Sequence, residues 1–273
     1  MRILFIGDIV GRIGRRIVKE KLNYFIDKYD IQFVIANGEN ATHGKGLIRH
    51  HYEELINAGI DCITLGNHFN SKNELAKYIE RVDCLIRPLN LYKSYPGGGS
   101  AVFDVDGILI RVTNLLGTAF MNEEVISPYA SLIDLLASEE EKVNIHIVDY
   151  HAEATGEKQC FGHVFDGKVS AVLGTHTHVQ TRDAHILEEG TAYISDVGMC
   201  GFKDGVLGFD KTTVINKTIF GKTQKFELPN EGKGVFSAIV LDINEMDGKC
   251  VELFPIYYEE WWIWNKRLLI NLT

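Results

Sequence analysis

MRILFIGDIVGRIGRR, residues 1–16, decides how the rest of the chain is read. Residues 3–6 are an apolar run and glycines follow at Gly7, Gly11 and Gly14. Ile13, Ile17, Val18, Leu22, Phe25 and Ile26 then recur at three-to-four spacing with charges between them. That pattern is strand, turn, amphipathic helix, and the turn resembles one that cradles a nucleotide phosphate. Asp8, however, stands at its mouth. A carboxylate there repels a phosphate unless a cation lies between them.

The alternation continues outward. FVIAN (33–37) predicts a second strand, GENATHGKG (38–46) a loop, and HHYEELINAG (50–59) a helix ending at Gly59. CITL (62–65) predicts a third strand, followed by the turn GNHFN (66–70) and a helix near residues 73–80. Apolar runs between helices are the mark of buried parallel strands. LNLYKSYPGGGS (89–100) is a loop, AVFDV and ILIRVTN form a hairpin about Asp106-Gly107, and a helix spans 128–142. Strands are then predicted at VNIHIVDYH (143–151), VSAVLGTHTH (169–178) and TAYIS (191–195), with further β runs at VFSAIVLDI and CVELFPIYY. No repeat or low-complexity tract divides residues 1–273, which predicts a single domain of α/β class.

Composition narrows the function classes. The chain is 45% hydrophobic and 24% charged with 5 prolines, a globular balance. A net charge of −9 argues against stable nucleic-acid binding, which needs a basic surface, but it does not exclude a small phosphate substrate met through cations. The cysteines at 62, 84, 160, 200 and 250 are scattered and odd in number, the pattern of reduced thiols in the cytoplasm. No run of apolar residues is long enough for a membrane span or a signal-peptide core, so no membrane partner is expected. The tail EEWWIWNKRLL (259–269) reads as packing or a subunit interface of a possible homo-oligomer.

The chemistry gathers at the carboxyl ends of the predicted strands: Asp8, then Glu39 and Asn40, then Asn67 and His68, then His151, then His176 and His178. In open α/β sheets those ends face the ligand, and carboxylate, amide oxygen and imidazole suit hard to borderline divalent metals. Taken as extended chain, His176 and His178 point to one side with Cα atoms about 6.5–7 Å apart. Such a pair reaches two metals about 3.5–4 Å apart. Within the predicted strands the exception is His146, read as structural together with His43, His50, His51, His163 and His185.

The ordered motifs GD (7–8), NGEN (37–40), GNH (66–68), DYHAEATGEK (149–158) and GTHTHV (174–179), with TAYISDVGMCG (191–201), resemble the calcineurin-like metallophosphoesterases, in particular their YmdB-type branch, over residues 1 to about 210. The resemblance implies a four-layer α/β/β/α sandwich and two divalent metal ions (Fe, Mn or Zn). It implies a phosphodiesterase acting on small phosphoesters, 2′,3′-cyclic nucleotides above all. Carried over, Asp8, Glu39, Asn40 and His178 match the ligands of one metal. Glu39, Asn67, His151 and His176 match those of the other, with His68 free to act as general acid. The chain departs from the superfamily pattern at Val10, where Asp-x-His has its histidine, at Glu39 in place of Asp, at Phe69 in place of an acid, and at the inserted Thr175. Asn40 would then have to take the missing histidine's place.

Two other readings remain open. A dinucleotide-dependent oxidoreductase fits the glycines and Glu39 as a ribose-binding acid, but its spacing is G-x-x-x-G-x-x-G and the strand-end histidines go unexplained. A metal-binding regulatory protein with a vestigial site fits the departures at Val10 and Phe69. Tyr92 to Gly99 and the loop 199–209 are candidates for lining the substrate pocket.

Overall fold

The computed structural model describes residues 1–92, 94–138 and 142–260. The tryptophans at 261, 262 and 264 lie outside the described residues. Strand β1 (Arg2–Ile6) leads into the two-residue β2 (Asp8–Ile9) and helix α1 (Gly11–Tyr29). Next come β3 (Phe33–Asn37), α2 (Arg49–Asn57), β4 (Cys62–Thr64), α3 (Leu75–Tyr78) and β5 (Leu85–Ile86). The hairpin β6 (Ser100–Val105) and β7 (Ile108–Leu116) turns at Asp106-Gly107 as expected, and α4 (Pro128–Ala137) follows. Then come β8 (Ile145–His151), α5 (Thr155–Val164), β9 (Ala171–Thr175), β10 (His185–Ile186), β11 (Ala192–Ile194), β12 (Met199–Phe202), α6 (Lys211–Thr218), β13 (Gly234–Ile243) and β14 (Cys250–Glu259).

Among the described residues the strands form two sheets. The first runs β2-β12-β13-β1-β3-β4-β5, with β14 also on β13, and the second runs β10-β11-β9-β8-β7-β6. Strands β1, β3, β4 and β5 are parallel, as are β7, β8, β9 and β11, while β13 enters antiparallel beside β1. Alternate side chains of each strand serve two cores, because a pleated strand points successive residues to opposite faces. Ile3, Phe5, Phe33 and Ile35 pack with Ile110, Ile145, Ile147 and Leu173 between the sheets. Leu4, Ile6 and Val34 pack outward on Ile17, Leu22 and Leu55 of α1 and α2. Val148, Tyr150 and Tyr193 pack outward on Leu132 of α4 and Phe161 of α5. The order is helix, sheet, sheet, helix, the expected four-layer sandwich.

The opening glycines have a packing reason. A Cβ on Gly7 would stand 2.0 Å from the Gly198 carbonyl oxygen, and one on Gly14 would stand 2.3 Å from that of Cys200. They let β12 pass close beside β2, with Met199 paired to Asp8 and Cys200 to Ile9. Backbone approach to protein, not to a pyrophosphate, accounts for them. The chain reaches β12 by crossing from β11 in the second sheet to the first over residues 195–198.

Candidate metal centre

Parallel strands of both sheets end at one edge of the sandwich, and the acceptors named from the sequence meet there. Asp8 is carried on β2 itself, fully buried, with its Oδ2 accepting from the His176 backbone N–H at 3.0 Å. Glu39 follows β3, where Asn37 Oδ1 accepts from its backbone N–H at 3.1 Å and fixes the turn. The Glu39 side chain is 1% exposed, and its Oε2 accepts from the His68 backbone N–H at 2.9 Å. Gly66, at the end of β4, makes room for this: a Cβ there would stand 2.3 Å from Glu39 Oε2 and 2.5 Å from His151 Nε2.

One group of acceptors surrounds His151 Nε2. Glu39 Oε1 and Asn67 Oδ1 each lie 3.1 Å from it, and His176 Nδ1 lies 3.0 Å from it. The ligand atoms of Glu39, His151 and His176 all fall within 4.8 Å of one another. A second group surrounds the Asn40 side-chain amide. Its Nδ2 stands 3.3 Å from Asp8 Oδ1, 3.1 Å from Glu39 Oε1 and 3.2 Å from His178 Nε2. Glu39 Oε1 belongs to both groups.

The protons on two of the histidines can be assigned from their outer partners. His178 Nδ1 donates to the Leu207 carbonyl at 3.2 Å, and His176 Nε2 lies 3.1 Å from the Glu153 Oε2 carboxylate oxygen. Both partners only accept, so the inward nitrogens present lone pairs. Burial pushes His151 and His176 down to about 4, so both imidazoles are neutral at neutral pH. Burial likewise raises Asp8, with the imidazoles of His178 and His151 opposing the shift. Lone pairs and buried carboxylates converging in this way are costly unless a cation is among them. The donor set of mixed N and O atoms therefore fits a divalent metal of borderline hardness.

The surroundings correct three expectations. His176 and His178 are not on an extended segment: β9 ends at Thr175, and their φ values are 103° and 65°. The left-handed turns, not strand alternation, bring both rings inward. Thr177 between them is tied to Asp196 Oδ2 through its N–H at 2.9 Å and its hydroxyl at 2.8 Å. Asp196 is in turn paired with buried Lys158 at 3.0 Å. Second, His146 is not alone inside a strand. Asp149, within β8 and fully buried, accepts from Thr175 Oγ1 at 2.7 Å, from Asn37 Nδ2 at 3.0 Å and from the Thr64 hydroxyl. Burial pushes Asp149 up to about 7, while those three donors hold it down. Third, the helix expected over 128–142 ends at Ala137.

The departures have local explanations. Val10 is 2% exposed and packs with Met199, Val235 and Leu228, an apolar setting for the position where the superfamily pattern has its histidine. Asn40 stands beside Asp8 instead. Phe69 packs edge-on to Tyr95 at 4.9 Å, and the place of His68 is held by its backbone contact to Glu39. The stretch 199–209, expected as a loop, opens with strand β12; Met199 on that strand and Lys203, Gly205 and Leu207 after it line a cavity of about 450 Å³ that also borders His178 and Tyr257. Tyr95, Gly97 and Gly98 line a different cavity, which touches none of the candidate ligands. Among the described residues, no helix is long and apolar enough to cross a membrane.

Comparison with known proteins identifies the family. The family described as YmdB-like protein matches residues 4–256, beyond the last motif and through most of β14. The 2′,3′-cyclic-nucleotide 2′-phosphodiesterase of Bacillus subtilis is 44% identical over 271 residues, covering 99% of this chain and 97% of that protein. The crystal structure of a novel phosphatase from Mycoplasma pneumoniae superposes with a TM-score of 0.89 at 38% identity, covering 95% of this chain and 93% of that one. At 12% identity, the calcineurin-like phosphoesterase YfkN of Bacillus subtilis shares the fold, with a TM-score of 0.54 over 94% of this chain and 90% of that one.

Proposed function

The chain belongs to the YmdB-like protein family and, through it, to the phosphoester hydrolases of calcineurin-like fold; on that premise we propose that it is a dinuclear metal phosphodiesterase of small phosphoesters, with 2′,3′-cyclic nucleotides as substrates. The observation that carries this reading is the pair of acceptor groups sharing Glu39 Oε1. Asp8, Glu39, Asn40 and His178 would hold one cation, and Glu39, Asn67, His151 and His176 the other. For Asn40 this requires its amide to present Oδ1 to the cation, an orientation set by what it faces. Bound there, two divalent cations would supply Lewis acidity to the phosphoryl oxygens and lower the pKa of water to near neutrality.

The remaining work falls to the chain's own groups. His68 is half-buried beside Glu39, and its imidazolium would give a proton to the departing ribose oxygen. Burial lowers its basicity, and the Glu39 carboxylate opposes that. An incoming phosphate anion opposes it further, since negative charge favours the imidazolium. The cavity beside His178, walled by Met199, Leu207 and Tyr257, offers space for the organic part of the substrate.

The test is hydrolysis of 2′,3′-cyclic AMP with Mn²⁺ or Fe²⁺ by the wild type and by Glu39→Gln. A loss of more than about 100-fold is expected when a shared ligand is removed. Equal rates in the two proteins would end the bridging role of Glu39.

A further inference from the structure

Asp149 and Thr175 carry polar groups that no step above uses, although both are fully buried. They stand in line behind His151. The Thr175 hydroxyl donates to Asp149 Oδ1 at 2.7 Å, and the same oxygen lies 2.8 Å from His151 Nδ1. A hydroxyl has one proton. Asn37 Nδ2 also lies 3.5 Å from His151 Nδ1, but its two protons serve the Leu65 carbonyl at 3.1 Å and Asp149 Oδ2 at 3.0 Å; with the Thr175 proton given to the carboxylate, Thr175 Oγ1 accepts from the ring, which places the His151 proton on Nδ1. Nε2 is then a lone pair, facing Glu39 Oε1, Asn67 Oδ1 and His176 Nδ1.

We propose that Asp149, acting through the Thr175 hydroxyl, is the positioning residue that fixes the tautomer and ring orientation of His151 for metal binding. The inference rests on the metal site proposed above and adds a determinant of its affinity. The geometry favours a dedicated device over incidental packing. The other Asp149 oxygen is anchored by Asn37 Nδ2 at 3.0 Å and by the Thr64 hydroxyl, so the carboxylate cannot turn away from Thr175. Asn37 also accepts from the Glu39 backbone N–H at 3.1 Å. The same amide therefore orients the carboxylate behind His151 and the glutamate in front of it. It explains too why a threonine occupies the place inserted into the last motif: it closes a path from β8 to β9 that glycine could not.

The test is Zn²⁺ affinity, measured by competition with a chelating dye at pH 8 on the full-length chain. Wild type, Thr175→Val, Thr175→Ser and Asp149→Asn/Thr175→Val are compared. Thr175→Val keeps the shape and deletes the hydroxyl, and an outer partner of a metal histidine is worth about 10–100-fold in affinity. Thr175→Ser is expected to recover wild-type affinity to within about threefold. The double variant is expected to bind no worse than Thr175→Val, because the carboxylate acts only through the hydroxyl. Long-range proton–nitrogen NMR of labelled histidine in the same chain, with and without Zn²⁺, should place the His151 proton on Nδ1. Wild-type affinity in Thr175→Val, or an Nε2 proton on His151 in the wild type, overturns the proposal. If Zn²⁺ binds to none of the proteins, including wild type, the metal site itself is wrong and the positioning role falls with it.

Discussion

His146 and His151 lie on the same strand, and by burial and basicity they are nearly alike. His146 is 4% exposed and His151 is 0% exposed. Burial pushes the first down to about 3 and the second to about 4. Yet His146 sits on the helix-facing side of β8, one nitrogen 2.9 Å from Thr113 Oγ1 and the other without a hydrogen-bond partner among the described residues. His151 ends the strand with a hydroxyl behind it and three acceptors in front. A depressed imidazole pKa thus says only that a ring is dry. What sets the candidate ligand apart from the core ring is whether other lone pairs converge on the second nitrogen.

The sharpest way to break this comparison is to remove each ring in turn. His151→Gln is expected to abolish turnover of 2′,3′-cyclic AMP above background and to lower metal content, read by elemental analysis. His146→Gln should leave both within about twofold. Similar losses in the two variants would mean that the convergence of acceptors carries no information. A third histidine refines the contrast. His68→Gln should retain metal while losing about 100-fold in rate on a ribose leaving group, the usual size of a lost general acid. With p-nitrophenolate, which leaves unaided, the loss should be less than about tenfold. A uniform loss on both substrates would assign His68 to the metal site, beside His151.

The smallest effect concerns stability. His146 is neutral in the fold and protonates on unfolding below its ordinary pKa of 6.5, so the unfolded state binds more protons there. Its contribution is complete above about pH 6.5 and is lost as pH falls toward about 3, with a slope approaching about 1.4 kcal/mol per unit. Urea melts of the wild type and His146→Gln at pH 7, 6 and 5 should therefore converge as pH falls. Parallel curves would show that His146 is not held neutral.

Much of this edge was legible in the sequence because its ligands follow apolar runs that can only be buried strands. Asp8, Glu39, Asn40, Asn67, His68 and His151 are candidates on that logic, and the family resemblance supplies the roles proposed for them. Asp149 escaped it because period-two alternation puts it between two sheets, where a carboxylate is expected to be excluded. Its donors, Asn37, Thr64 and Thr175, come from three other strands. No local spacing in one strand reports on three others. The bent backbone at His176 and His178 was equally hidden, since a histidine with positive φ is held there by tertiary contacts and not by its own preference. Strand β12 was missed because MCGF is short and its pairing with Asp8 depends on Gly7 and Gly14 far back in the chain.

The two sheets contribute to the site unequally in kind. Asp8, Glu39, Asn40 and Asn67 come from the first sheet and its turns, and His151, His176 and His178 from the second. The anionic and amide side chains of the proposed centre are thus on one layer and the imidazoles on the other. A cation held by both sets would be a rivet through the sandwich, and neither sheet could peel away without giving it up. By mass action, a free concentration 100 times the dissociation constant adds about 2.7 kcal/mol to the native state. If the proposed centre holds its cations, metal supply would govern survival of the fold as well as turnover, and starvation for the ion would be felt first as shortened lifetime of the chain.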